Sequence, residues 1–259
     1  HSIIITIQFF KILMDEQFDK LSKLLFKSKR LVILTGAGIS TSSGLPDFRG
    51  DNGFWKANKP IDFQEFLSNS ESRVTSWKRN IELNNKLREI KPNAGHFFVK
   101  KIIEEKPESI LITQNIDGLH QKSGLMKDKI VEIHGNATLA ACLNCEKQFE
   151  LEPFHKAVQN NTLIPNCDEC DSLVKVATIS FGQPMRKNDL DLATEFSQAC
   201  DTFLVLGSSL IVEPVASLPL IALKNKASLL IINKGETPYD GIANIVLNEE
   251  ISKIAEKFL

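Results

Sequence analysis

Short, uninterrupted apolar runs recur along this chain at residues 31–34, 110–113, 203–206 and 229–232. Runs without polar alternation mark strands buried on both faces. Between them, apolar positions at three- and four-residue intervals predict helices around 93–105, 188–199, 215–225 and 249–258. A further helix is predicted from Asp15, where Phe18, Leu21, Leu24 and Leu25 make one apolar face and two acids favour the helix dipole. A weaker strand signal covers 174–180. Strands alternating with helices predict an α/β fold: a Rossmann-like parallel sheet with helices on both faces and ligands at the strand C-terminal ends.

Two stretches break the alternation. One opens as a polar loop containing Gly and Trp and turns helical through Trp77, Ile81, Leu83 and Leu87; the other carries most of the cysteines. We read both as insertions that build a smaller lobe. The expected division is an extension over 1–14, a core of about 15–50, 91–135 and 174–259, a helical insertion of about 51–90 and a cysteine module of about 136–173.

Composition narrows the class. Hydrophobic residues at 42% and charged residues at 24% suit a globular domain with a sizeable core. Lys plus Arg (31) nearly balances Asp plus Glu (32), so no strong field points to nucleic acid or an anionic membrane. No apolar run approaches the ~18 residues of a membrane span. The apolar start, residues 1–11, lacks a basic opening and a cleavage site and is set outside the fold.

Four of the five cysteines form two knuckles, Cys142-Leu-Asn-Cys145 and Cys167-Asp-Glu-Cys170, with twenty-one residues between them. In a chain without an export signal such thiols stay reduced, which places the protein in the cytoplasm and reads as a four-thiolate zinc site. Four thiolates leave no open coordination position, so the ion is structural. Cys200 stands alone in an apolar stretch and reads as a small core residue.

The candidate chemistry lies at strand ends. Residues 35–44, TGAGISTSSG, follow the first apolar run. Gly36 and Gly38 there would let backbone N–H groups approach a pyrophosphate at a helix N-terminus. The dinucleotide fingerprint is incomplete, because Thr41 stands at the third glycine and no acid sits about twenty residues on. A tight turn without ligand is the alternative. Residues 113–120, TQNIDGLH, end the second run, where Asn115 and Asp117 either face the crevice or make an Asx turn that starts a helix. His134 closes an apolar run before Gly135 and is the candidate general base. His96, His120 and His155 read as structural.

With these motifs goes a resemblance to the sirtuins, NAD-dependent protein-lysine deacylases. It rests on GAGIS, Pro46-Asp47-Phe48-Arg49-Gly50, TQNIDGLH, EIHGN, the paired knuckles, Gly207-Ser208-Ser209-Leu210 and Ile232-Asn233, in that order, over about 15–259. The C-terminal third is most similar to bacterial and archaeal members.

The resemblance implies that NAD is consumed as a co-substrate. Gly36, Ala37, Gly38 and Thr41 would line its phosphate and ribose region, with Asp47, Phe48 and Arg49 on a closing loop. Gln114, Ile116 and Asp117 would border the nicotinamide ribose and carboxamide, while Ser208, Ser209, Asn233, Lys234 and Ile251 take the adenosine end. The acyl oxygen would attack the ribose, with His134 as base on the ribose hydroxyls and Asn115 and Asp117 holding the ribose and leaving amide. An acyl-lysine peptide would enter as an added strand between Ile179, Phe181 and Gly182 on one side and Leu210 and Val212 on the other.

Gln183 and Glu213 depart from the usual Glu and Tyr, which leaves peptide preference open. Family members that prefer succinyl or malonyl groups carry a Tyr and an Arg where this chain has Lys78 and Ile81. The resemblance therefore implies uncharged acyl groups, acetyl foremost. ADP-ribose transfer to protein and a non-catalytic zinc-ribbon module are the rivals. The intact His134-Gly135-Asn136 motif counts against the first, and balanced charge against nucleic-acid binding by the second.

Overall fold

Every second residue of each long apolar run meets a different layer of helices. The computed structural model describes residues 2–46 and 59–259, so Asp47, Phe48 and Arg49 lie outside the described residues. Strands β1 (Leu31–Thr35), β2 (Ile110–Thr113), β3 (Ile130–Glu132), β7 (Thr202–Leu206), β8 (Ser228–Ile232) and β9 (Ile245–Leu247) form one parallel sheet in the order β3-β2-β1-β7-β8-β9. Leu31 and Ile33 of β1 pack with Leu204, Leu230, Phe98 and Ile254 on one face. Val32 and Leu34 pack with Phe203, Leu229, Ala193 and Leu218 on the other. Burial on both faces explains why the runs show no polar alternation.

Numbered within the sheet, the order is 3-2-1-4-5-6, the dinucleotide-binding arrangement. Its switch point lies between β1 and β7, where successive connections leave in opposite directions and open a crevice. A short helical turn, Ala37–Ser43, follows β1 there.

The smaller sheet is antiparallel, in the order β5-β4-β6, from β4 (Gly135–Cys142), β5 (Gln148–Phe149) and β6 (Val174–Thr178). Its core holds Trp77 stacked on Phe154 at 4.9 Å, with Ala140, Val174 and Val176. Helix Ser70–Glu89 supplies Trp77, capped at its start by the Asn69 side chain.

Three expectations change. The 174–180 signal is a strand, but it pairs with β4 in the small sheet and not in the parallel one. The reason is the chain reversal at Gly135, which sends β4 back beside β6; Gly135 has φ +76, and a Cβ there would lie 1.9 Å from the Ala177 carbonyl oxygen. The N-terminal helix starts at Ser2 and not at Asp15, with no Gly or Pro to interrupt it. β4 and β9, too short or irregular in pattern to stand out, are additional.

Candidate active site

Close approach of two loops builds the floor of the crevice. The Gly36 N–H donates to the Leu206 carbonyl at 3.0 Å, and the Gly38 N–H donates to Gly207 O at 2.9 Å. A Cβ on Gly38 would fall 2.7 Å from Gly207 Cα, so the glycine lets the turns after β1 and β7 touch each other. This corrects the sequence reading in part: the missing side chains face the neighbouring loop, and Gly36 lies beneath the floor.

Above that floor is a cavity of about 1030 Å³. Ala37, Gly38 and Thr41 line it beside β1, and Gln114, Asn115, Ile116 and Asp117 beside β2. His134, Ile179, Phe181 and Gly182 line the side toward the small sheet, and Val212 lines the cavity as well. Ser208, Ser209, Asn233, Lys234 and Ile251 line the remaining end. Leu210 does not: the residue is 2% exposed and packs in the core on one face of the parallel sheet.

Asn115 and Asp117 meet through a residue the sequence reading passed over. β2 ends at Thr113, so the pleat does not align them. Ser40 does. Its hydroxyl donates to Asp117 Oδ2 at 2.7 Å and accepts from Asn115 Nδ2 at 3.3 Å, while Asn115 Nδ2 also donates to Gly36 O at 3.1 Å. Asp117 Oδ1 accepts the Leu119 N–H at 2.9 Å, so the Asx turn is present and does not exclude a role at the cleft. Burial raises the Asp117 carboxyl above its usual range, against the lowering effect of those hydrogen bonds and of Lys122. Ser40 was legible only as one letter of GAGIS.

His134 lies in the turn after β3, with Nδ1 3.2 Å from the Gln114 carbonyl oxygen and its own carbonyl accepting the Ile179 N–H at 2.8 Å. Glu132, two residues before, accepts from Asn136 Nδ2 at 2.6 Å and Gln121 Nε2 at 2.7 Å, which braces the turn. The other histidines form the substructure. His120 Nε2 is 3.0 Å from Thr35 Oγ1, its ring 4.8 Å from that of His96, and burial lowers both pKa values, His96 to about 4. His155 bonds Asn80 Oδ1 at 2.7 Å within the small lobe.

Among the described residues, Gln114 Nε2 and Asn115 Oδ1 at the cleft are buried without a partner. Gly36 O only accepts, so Asn115 must present nitrogen to it and leave its oxygen unpaired. Gln114 Oε1 accepts from the Ser208 hydroxyl at 3.0 Å.

The sulfurs of Cys142, Cys145, Cys167 and Cys170 all lie within 4.8 Å of one another. Cys142 and Cys170 approach to 3.4 Å, and Cys145 and Cys167 to 3.6 Å, far beyond a disulfide bond. A tetrahedral zinc with Zn–S near 2.3 Å needs sulfurs about 3.8 Å apart. The four thiols fit a closed zinc site. Cys200 is buried, and burial pushes its thiol up to about 12.

The Sir2 family model matches residues 36–214, which span the floor, the cleft and the cysteine module. The chain belongs to the Sir2 family. This sirtuin is 39% identical over 241 residues to NAD-dependent protein deacetylase 1 of Bradyrhizobium diazoefficiens, covering 93% of this chain and 94% of the relative. It is similar to a solved Sir2–p53 peptide–NAD+ complex, with TM-score 0.80, 36% identity and coverage of 92% and 95%. It is also similar to Sir2Tm bound to a propionylated peptide, with TM-score 0.79, 36% identity and coverage of 93% and 96%. Among the described residues of this sirtuin no helix is long and apolar enough to cross a membrane.

Proposed function

We propose that this sirtuin removes acyl groups, acetyl foremost, from protein lysines by consuming NAD, giving nicotinamide, O-acyl-ADP-ribose and free lysine. The orphaned amide atoms of the two residues that follow β2 carry the reading. Gln114 Nε2 is a donor and Asn115 Oδ1 an acceptor, and a carboxamide offers the matching acceptor and donor. An unpartnered buried polar atom costs about 1–3 kcal/mol, so both atoms favour a ligand that completes them. Bound there, NAD supplies the ribose carbon that captures the acyl oxygen as nicotinamide leaves.

The residues divide the work by position. His134 is the general base toward the ribose hydroxyls. Asn115 and Asp117, bridged by Ser40, hold the ribose and the departing amide. Ala37, Gly38 and Thr41 face the phosphates at the turn after β1, where Gly38 leaves room for them while its own N–H is held by Gly207 O. Ser208, Ser209, Asn233, Lys234 and Ile251 take the adenosine end, and Asp47, Phe48 and Arg49 are assigned to the loop over the cofactor. Peptide enters as an added strand along Ile179, Phe181 and Gly182, with the backbone at Leu210 and Val212 opposite.

Cys142, Cys145, Cys167 and Cys170 hold a structural zinc. We assign residues of about 15–50, 91–135 and 174–259 to the catalytic core and the rest of 51–173 to the two insertions, with β6 serving the small sheet. A thiolate zinc site suits a reducing cytoplasm. Incubation with adenine-labelled NAD and an acetyl-lysine peptide tests the assignment. Label in free O-acetyl-ADP-ribose supports deacylation, and label retained on protein points to ADP-ribose transfer.

A further inference from the structure

Lys175 is 2% exposed in the middle of the small lobe. Its neighbours Val174 and Val176 face the core around Trp77 and Cys142, so the pleat turns Lys175 to the opposite face, where Nζ lies 5.9 Å from the Phe66 ring centre. Among the described residues no carboxylate pairs with it. A buried ammonium ion without a counter-ion is costly, and an aliphatic chain of similar length packs at lower cost.

Its partners are backbone groups at one place. Nζ donates to Val176 O at 3.2 Å, to Thr178 O, and to Thr178 Oγ1 at 3.4 Å. The β4–β6 ladder breaks there: Gly135 pairs with Thr178 and Ala140 with Val176, so β4 advances from 135 to 140 while β6 moves only from 178 to 176. The bulged residues are committed elsewhere. The Ala137 N–H donates to Ile116 O at 2.9 Å, and Ala137 O accepts from Asn80 and Asn84. The odd-numbered residues of β6 face β4, where Leu173 O accepts the Leu143 N–H at 3.0 Å and the Ile179 N–H reaches His134 O; the Val176 and Thr178 carbonyls therefore point to the free edge of β6, where lysine meets them in place of a partner strand.

Beyond the gap, β6 runs directly into residues 179–182, the segment assigned to the peptide. Ile179 N–H bonds the carbonyl of His134 at 2.8 Å, and Phe181 O accepts from Phe63 N at 2.9 Å, at the start of the helix that carries Phe66. Lys175 thus meets Thr178, the residue before Ile179, and Phe66 on the helix that begins at Phe63, while it is not itself among the residues lining the cavity.

We propose that Lys175 is a positioning residue for substrate peptide: its buried amino group ties the free edge of β6 at Val176 and Thr178 and fixes residues 179–182 in register with His134. The inference rests on the deacylase reading for its kinetic arm and on backbone order for its other arm.

The test compares the full-length zinc-loaded protein with Lys175→Met and Lys175→Gln. In the Met variant the peptide KM should rise by about tenfold, with the NAD KM within about twofold and zinc content unchanged. Amides of residues 179–182 should exchange with deuterium faster than in the unmodified protein, a readout that needs no turnover. The Gln variant, which keeps amide donors, should fall between. Unchanged peptide KM and unchanged exchange in a zinc-loaded Met variant overturn the proposal. If the Met variant does not retain zinc, the Gln variant is read by the same two outcomes. Zinc loss in both overturns it in favour of a purely structural role. Absence of deacylation by the unmodified protein counts against the proposed function, while the exchange measurement still decides the role of Lys175.

Discussion

His134 Nδ1 lies 3.2 Å from the backbone carbonyl oxygen of Gln114. A carbonyl only accepts, so the ring carries its proton on Nδ1 and Nε2 becomes the basic nitrogen. The same residue that presents an orphaned amide to the cleft therefore sets the tautomer of the base. Replacing His134 with Ala should lower turnover by about 10²- to 10⁴-fold while the fold and zinc content stay intact. Near-normal turnover by a folded variant removes His134 from the mechanism.

The metal acts through folding. Cys142→Ser or Cys170→Ser should release zinc, and Tm and activity should fall together, because the closed site stabilises the lobe that carries Cys142 on β4. Chelation that strips zinc and leaves the melting curve unchanged contradicts a structural role.

Acyl preference is set by the cavity lining. Lys234, grouped with Asn233 and Ile251, is the lysine among the described lining residues, and Leu83 and Leu87 line the cavity too. Ile81 packs into the small-lobe core and Lys78 is exposed. Among the described residues, the wall made by Leu83 and Leu87 offers no donor to a carboxylate on the acyl group, whose burial there would cost several kcal/mol. On one peptide, kcat/KM should be higher for acetyl- than for succinyl-lysine; the reverse order contradicts this account of the pocket.

Acid should weaken the fold through His96. Burial holds its pKa near 4, below the ordinary 6.5. Between those values the unfolded chain binds a proton that the folded chain refuses, so stability present above about pH 6.5 is lost as pH falls toward 4. The shift corresponds to about 3 kcal/mol. His96→Gln, which keeps an acceptor for the Asn93 N–H, should show a shallower loss of Tm between pH 6.5 and 4.5 than the unmodified chain. Equal slopes would show that His96 does not set the acid limit.

How far the sequence reaches is clear at particular residues. The run at 31–34 announced a doubly buried strand, and the alternation of Leu31 and Ile33 with Val32 and Leu34 between two layers is its direct result. The cysteine spacing announced the cluster. Ser40, by contrast, matters because the turn after β1 brings it to Asn115 and Asp117, more than seventy positions away, and no local pattern carries that. Residues 174–178 showed a strand but not its partner, since partner choice depends on the reversal at Gly135. Lys175 was one charge in an apolar run, and its meaning comes only from the free edge of β6 whose carbonyls it meets.

His134, Asn115 and Asp117 are assigned together to one NAD-consuming deacylation. Mass analysis of an acetyl-lysine peptide incubated with the protein, with and without NAD, tests that assignment most directly. The account predicts that NAD alone permits conversion, with one nicotinamide and one O-acetyl-ADP-ribose formed for each lysine freed. Free acetate released without NAD, or nicotinamide formed with ADP-ribose left on protein and the peptide still acetylated, contradicts it.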